Sequence, residues 1–215
     1  MTTQPIERQP SERVYVRLRA GVLRGEYAPR QALKPQELAN EHGVSLAVVR
    51  EALLRLVGEG LAERLPNRGF AVPATGDERW QRVAEARAVI EPATLRLAIE
   101  RGDLEWEARV RAAHHRLAGT PVDDLDTWSE AHRLFHRVLL EGCANDALLE
   151  TFDRLWTASE LARRWSARAA PGRDHAAEHR AIEEAALARA ADRAAELLRI
   201  HVSRTVEALA IEPPS

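Results

Sequence analysis

The stretch Leu38–Pro73, LANEHGVSLAVVREALLRLVGEGLAERLPNRGFAVP, decides the fold of the chain. It opens inside a short helix that begins at Pro35, a residue suited to a first helical turn, and stops at Gly43. Ser45 then stands as the N-cap of a further helix ending near Gly58 or Gly60. Two short extended runs follow, joined by Pro66-Asn67-Arg68-Gly69, which is a hairpin signal. Upstream, Val14, Leu18 and Val22 recur at helical spacing, with Ser11 as a cap and Gly25 as a stop. Three helices and a hairpin predict a winged helix-turn-helix. Its tight turn at Gly43 sets one helix across another, so that the second presents its N-terminal side chains to a DNA major groove.

Beyond a short linker, AVPATGDE, the chain reads as helix almost throughout. Helices are predicted over about 77–101, 104–117, 124–141, 145–169, 174–190 and 192–210, broken by Gly, Pro and Asp pairs. Ala is abundant there and β-branched residues are sparse, as packed helices require. The fold class is therefore mainly α: residues 1–75 as a winged helix-turn-helix of three helices and a β-hairpin wing, and residues 76–215 as an all-α antiparallel bundle of about six helices.

Composition narrows the function. The 215 residues carry a formal charge of −2, an average that conceals a division. Residues 1–75 hold 11 Lys+Arg against 8 Asp+Glu, and residues 76–215 hold 20 against 25. A mildly cationic first part suits a polyanionic partner. The single cysteine, Cys143, excludes a disulfide framework and a Cys-based zinc finger. No apolar run approaches the roughly 20 residues of a membrane span, and the polar N-terminus lacks a signal peptide's apolar segment. A cytoplasmic protein is expected.

Seven of the eight histidines fall in the second part. His132 and His136 are four apart and share a helix face, while His179 and His201 lie on two later helices. Helices converging in a bundle aim such side chains at one interior point, and imidazole nitrogens suit Zn, Ni, Cu or Fe. Each histidine alone reads equally as a satisfied core or surface residue, and His114, His115 and His175 are read that way. Cys143 reads as a buried small hydrophobe. Trp128, Trp156 and Trp165 read as core or interface.

Taken in order, Leu38-Ala39, Gly43-Val44-Ser45, Val49-Arg50-Glu51-Ala52-Leu53, Leu56, Gly60-Leu61 and Arg68-Gly69 resemble the DNA-binding domain of GntR-type bacterial regulators. The helical remainder is similar to the FCD ligand-binding domain of the FadR subfamily, through Glu85-Ala86-Arg87, Glu91, Phe135-His136, Asn145, His179 and His201. The resemblance implies a regulator rather than an enzyme. Its partners would be double-stranded operator DNA, a second copy of the chain in a homodimer, and a small organic acid, with repression as the commoner mode. A divalent transition metal, Zn or Ni more than Mn, would be held by His132, His136, His179 and His201.

Three departures from the family pattern matter, two of them in the DNA-binding part. Leu46 stands where the recognition helix commonly has an arginine, and Gln36 replaces an arginine before Glu-Leu. The expected DNA-facing residues are thus Gln36, Ser45, Leu46, Arg50 and, at the wing tip, Arg68. Arg50 supplies the guanine-type contact, and Leu46 is suited to a thymine methyl. In the helical part, His132 takes the place of a common Asp ligand. Arg87 is implied to pair with an effector carboxylate, and Asn145 either caps a helix or touches that ligand. Three other readings stay open: a metal-free pocket whose imidazoles bind an anionic effector directly, a sensor for which the metal itself is the signal, and a metalloenzyme with a helical His site.

Overall fold

The computed structural model describes residues 9–66, 69–74, 78–169 and 173–210. They separate into two compact units, one up to Asp77 and one from Glu78, two residues beyond the boundary expected from the sequence.

The first unit runs α1 (Pro10–Arg24), β1 (Ala32–Leu33), α2 (Pro35–His42), α3 (Leu46–Gly58), β2 (Glu63–Leu65) and β3 (Gly69–Ala71). Its sheet has the order β1-β3-β2, antiparallel throughout, with Leu33 opposite Phe70 and Arg64 opposite Phe70 on the other side. Strand β1 lies in what the sequence predicts as loop. Leu33 is 1% exposed, and burying it pulls two residues of that loop onto the hairpin. The capping at α1 also differs from expectation. The helix begins at Pro10 after Gln9, with no side-chain cap, and Ser11 lies within the first turn.

The step from α2 to α3 follows from local chemistry. Gly43 adopts φ +63°, a left-handed conformation that costs glycine little, and no atom would crowd a Cβ there. Backbone conformation, rather than space, therefore requires the glycine. Ser45 Oγ accepts from the Val48 amide, closing the N-terminus of α3. Val49, Leu53 and Leu56 point into a core shared with Leu18, Val22, Leu61 and Val72. A polar strap joins α1 to α3: Tyr15 and Arg19 both donate to Glu59, and Arg55 stacks over the Tyr15 ring at 3.6 Å while reaching Glu12 at 2.6 Å.

The second unit is helical: α4 (Glu78–Arg101), α5 (Leu104–Ala118), α6 (Leu125–Glu141), α7 (Asp146–Ala158), α8 (Glu160–Ala169), α9 (His175–Leu187) and α10 (Ala191–Ala210). Helix α10 packs along α4 and also against α8 and α9, and α5 packs on α6. The core includes Leu95, Trp106, Phe135, Leu139, Phe152, Trp156, Ile182 and Leu198. Trp106 donates to the Val138 carbonyl at 3.0 Å, and Gly142 leaves room for it, since a Cβ there would meet Trp106 at 3.1 Å and the Ala98 carbonyl at 2.7 Å.

The continuous helix predicted over 145–169 is two helices, broken at Ser159. No Gly or Pro marks the break. Ser159 instead bends its hydroxyl back to the Trp156 carbonyl at 3.1 Å, a local bond that competes with the helical ladder. Among the described residues this makes seven helices in the unit rather than six.

Candidate functional site

On the first unit, α3 presents Arg50 as an exposed side chain with no hydrogen bond or ion pair among the described residues. Arg50 and Arg64 line one groove together with Pro35, Leu54, Leu65, Gly69 and Phe70. Leu46 is half-buried at the start of α3, and Ser45 is exposed while serving as its cap. Gln36 is exposed on α2, its amide donating to Asn40 at 3.3 Å. Gln36 thus stands in the first turn of α2, and Ser45, Leu46 and Arg50 at the cap and in the first turns of α3, the end of a helix that in a helix-turn-helix displays its side chains to the groove. Arg68, the expected wing contact, lies outside the described residues.

On the second unit the four expected histidines meet. Each of His132, His136, His179 and His201 offers one ring nitrogen, and those atoms all lie within 4.8 Å of one another. Helix α6 supplies the first two, α9 the third and α10 the fourth. All are buried, between 1% and 5% exposed. His136 Nε2 and His179 Nε2 face each other at 3.3 Å, and His132 Nε2 is buried without a partner. The donor set contains no carboxylate. Burial first, then mutual repulsion, holds His132 and His136 well below the usual imidazole range; burial and His201 do the same for His179. His201 is lowered to about 4, chiefly by burial, although Glu178 opposes the shift. Neutral imidazole is the state in which histidine binds a metal, and four such rings are gathered here.

A second layer orients His201. Its Nδ1 lies 2.7 Å from Glu178 Oε2, which assigns the proton to Nδ1 and leaves Nε2 as the inward donor. Arg173 Nη2 grips Glu178 at 2.6 Å and the His201 carbonyl at 2.8 Å, and Arg204 adds a contact to Glu178 at 2.8 Å. These partners hold the Glu178 carboxyl far below the ordinary range despite its partial burial.

The walls are aromatic. Trp128 packs on His132 at 4.5 Å, and Trp156 packs on His132 at 5.1 Å and on His136 at 5.2 Å. Arg87 is 3% exposed, and its guanidinium is engaged within the fold. Nε and Nη2 donate to Glu91 at 2.5 and 3.3 Å, and Nη1 donates to Ser159 at 3.2 Å. Asn145 caps α7 through the Leu148 amide at 3.2 Å, the structural one of its two expected roles, and none of its described contacts reaches the histidines. His114 pairs with Glu183 at 2.5 Å, His115 is exposed, and His175 sits edge-on to Trp128 at 6.0 Å.

Two sequence models cover most of the chain: the gntR family of bacterial regulatory proteins over residues 10–72, and the FCD domain over residues 82–204. This chain belongs to the gntR family and carries an FCD domain. It is 34% identical over 203 residues to the uncharacterized HTH-type transcriptional regulator BphR of Paraburkholderia xenovorans, covering 91% of this chain and 83% of that one. It is 32% identical to the HTH-type transcriptional repressor GlaR of Escherichia coli, covering 86% and 89%. Among solved structures, a GntR regulator from Rhodococcus superposes with a TM-score of 0.74 at 24% identity, covering 94% of this chain and 99% of that one. Escherichia coli McbR/YncC superposes with a TM-score of 0.70 at 22% identity, covering 94% and 97%, and like the Rhodococcus protein it speaks for the fold alone.

As a member of this family the chain is a DNA-binding transcriptional regulator, not an enzyme. Among the described residues no helix is long and apolar enough to cross a membrane. Sequence reasoning missed two side chains of this GntR-family site. Arg163 is 7% exposed and stacks over Trp156 at 3.7 Å, and Glu178 fixes His201. Glu178 was legible as the residue adjoining His179. Arg163, within the charged run Arg163-Arg164, carried no signal that it faces inward.

Proposed function

We propose that this regulator is a cytoplasmic homodimeric repressor of the FadR subfamily, whose affinity for operator DNA is set by a small carboxylate bound with a divalent transition metal in the FCD domain. The observation that carries the reading is the convergence of His132, His136, His179 and His201 on one buried point. The residues fit such an ion. All four are neutral, one has an orphaned inward nitrogen, and His201 has its tautomer fixed by Glu178. An all-imidazole set suits Zn or Ni and disfavours Mn, which prefers oxygen ligands. When bound, the ion supplies a Lewis-acidic centre for an oxygen ligand; the chain's residues seal the chamber and orient the donors.

One winged helix reads only a few base pairs, so a two-fold pair on a palindromic site supports specific binding. Arg50, Leu46, Ser45 and Gln36 are the DNA-facing residues of each copy. The acid alters DNA affinity only insofar as it binds the two states of the dimer unequally, and couplings of this type amount to about 1–3 kcal/mol.

A second reading has its own observation. Four protein donors already complete a tetrahedral ion, which suits a site where the metal itself is the signal. One experiment separates the two. DNA selected from a random pool by the wild-type protein is titrated with protein that is chelator-stripped, nickel- or zinc-loaded, and loaded with added hydroxy acids or dicarboxylates. Release only on adding acid supports the effector reading; toggling by metal alone supports the sensor. Wild type that takes up no metal on titration, and whose DNA affinity ignores every acid, overturns both. His136→Ala with His179→Ala is expected to abolish metal uptake.

A further inference from the structure

The geometry points to Arg163 as the residue that holds the anionic end of a short dicarboxylate or hydroxy acid in the helical unit, with Arg87 serving the fold. This rests on the reading of that unit as an effector site.

The two arginines are treated differently by their surroundings. Arg87 has spent its planar edge on Glu91, and its remaining Nη1 on Ser159. Its Nε–Nη2 edge is thus closed to a ligand carboxylate. Arg163 uses only one terminal nitrogen. Nη1 donates to the Trp156 carbonyl at 2.7 Å and to the Ser159 hydroxyl, both neutral acceptors. Nη2 is buried and has no hydrogen-bond partner among the described residues. The residue is 7% exposed, and among the described residues no carboxylate forms an ion pair with it, although the charges of Glu160 and Glu91 act on it from nearby. A buried guanidinium with an unmet donor is costly, and the acceptor that relieves it best is an oxyanion, because charge-assisted bonds are about twice as strong as neutral ones.

Position adds to chemistry. The Arg163 Cζ sits over the Trp156 ring, 3.7 Å from its centroid. The same indole packs against His132 and His136. The cation is therefore close enough for its field to be among the influences keeping both imidazoles neutral. An acid of a few carbons reaches from Arg163 toward the histidines, with one carboxylate on the guanidinium and a second oxygen, carboxylate or hydroxyl, at the imidazole cluster. A simple monocarboxylate has no second oxygen donor at the far end and binds less well.

The test is calorimetric titration and thermal shift on the full chain, nickel-loaded and chelator-treated, with malonate, succinate, lactate and acetate at constant ionic strength. Arg163→Met is expected to weaken malonate or lactate binding by roughly 10- to 100-fold in the loaded protein, while nickel affinity measured without acid is retained or rises as a nearby positive charge is removed. Arg163→Lys keeps the charge and loses the fork, so it falls between; it also carries the test if the methionine variant does not fold. Acetate is expected to bind more weakly than malonate. Malonate and lactate binding unchanged in both variants, or binding of none of the acids by wild type at millimolar concentration, overturns the assignment. Loss of acid binding in His136→Ala with full binding in Arg163→Met places the acid on the histidine-held ion alone. In that case Arg163 fails while the effector reading stands.

Discussion

Arg50 on α3 is exposed and free of ion pairs among the described residues, whereas Arg87, Arg163 and Arg164 in the helical unit are 3%, 7% and 8% exposed. The first unit carries its unpaired charge outward, where a phosphate or a base edge meets it at little desolvation cost. The second turns arginines inward, where each charge needs a partner: Glu91 for Arg87, Asp126 and Glu160 for Arg164. Histidines divide in the same way. One, His42, lies half-buried in the first unit, and four meet in the core of the second. The two units thus use the same residue types under opposite solvation.

That contrast is easiest to break from the inside. All five tryptophans lie in the second unit, so their fluorescence reports its unfolding separately from the first. Glu91→Ala strands Arg87 in the core and is expected to destabilise the second unit by about 3–5 kcal/mol in urea titrations. Acid is next. A histidine whose folded pKa is depressed contributes stability that is present above about 6.5 and is lost as pH falls through the folded value. His201, lowered to about 4, thus contributes on the order of 3 kcal/mol that vanishes between those limits in metal-free protein. The tryptophan-monitored midpoint should drop over this window, and a flat profile from pH 7 to 4 refutes the neutral-core account.

Arg50→Ala is expected to cost about 1–3 kcal/mol of discrimination on selected DNA, with folding unchanged and a shallower salt dependence. Gel-shift titrations at several salt concentrations measure both. Glu178→Gln leaves His201 without its orienting carboxylate and is expected to weaken nickel binding by roughly 10- to 100-fold in competition with a chelator. Smallest is Ser45→Ala. The bond from Val48 is long at 3.4 Å, so its loss should cost about 0.5–1 kcal/mol, read from circular dichroism of the first unit.

Legibility in the sequence followed solvation too. The helix-turn-helix was readable because Gly43 and Ser45 act locally, one through its φ and the other through its hydroxyl. The histidine cluster was readable because a spacing of four on α6 fixes a common face. What escaped depended on tertiary contacts. The two residues of β1 form a strand only because Phe70 and Ala71 stand opposite them. The break at Ser159 arises in a sequence without Gly or Pro, and the Arg163-Arg164 run looks like a solvated face until the fold turns it toward Trp156. Arg87 was placed correctly in the interior, but nothing in its spacing from Glu91 distinguished a buried fold pair from a free ligand clamp.

The absence of a carboxylate from the four-histidine donor set has a thermodynamic consequence. Were a divalent ion held there as proposed, neutral imidazoles would leave most of its charge uncompensated, and the nearby Arg163 would add to the excess. An acid that enters brings the missing negative charge, so ion and acid should strengthen one another's binding by an equal factor. Nickel should therefore dialyse away faster from acid-free protein than from protein kept in malonate, and His132→Asp, which builds one negative charge into the chamber, should weaken that mutual dependence.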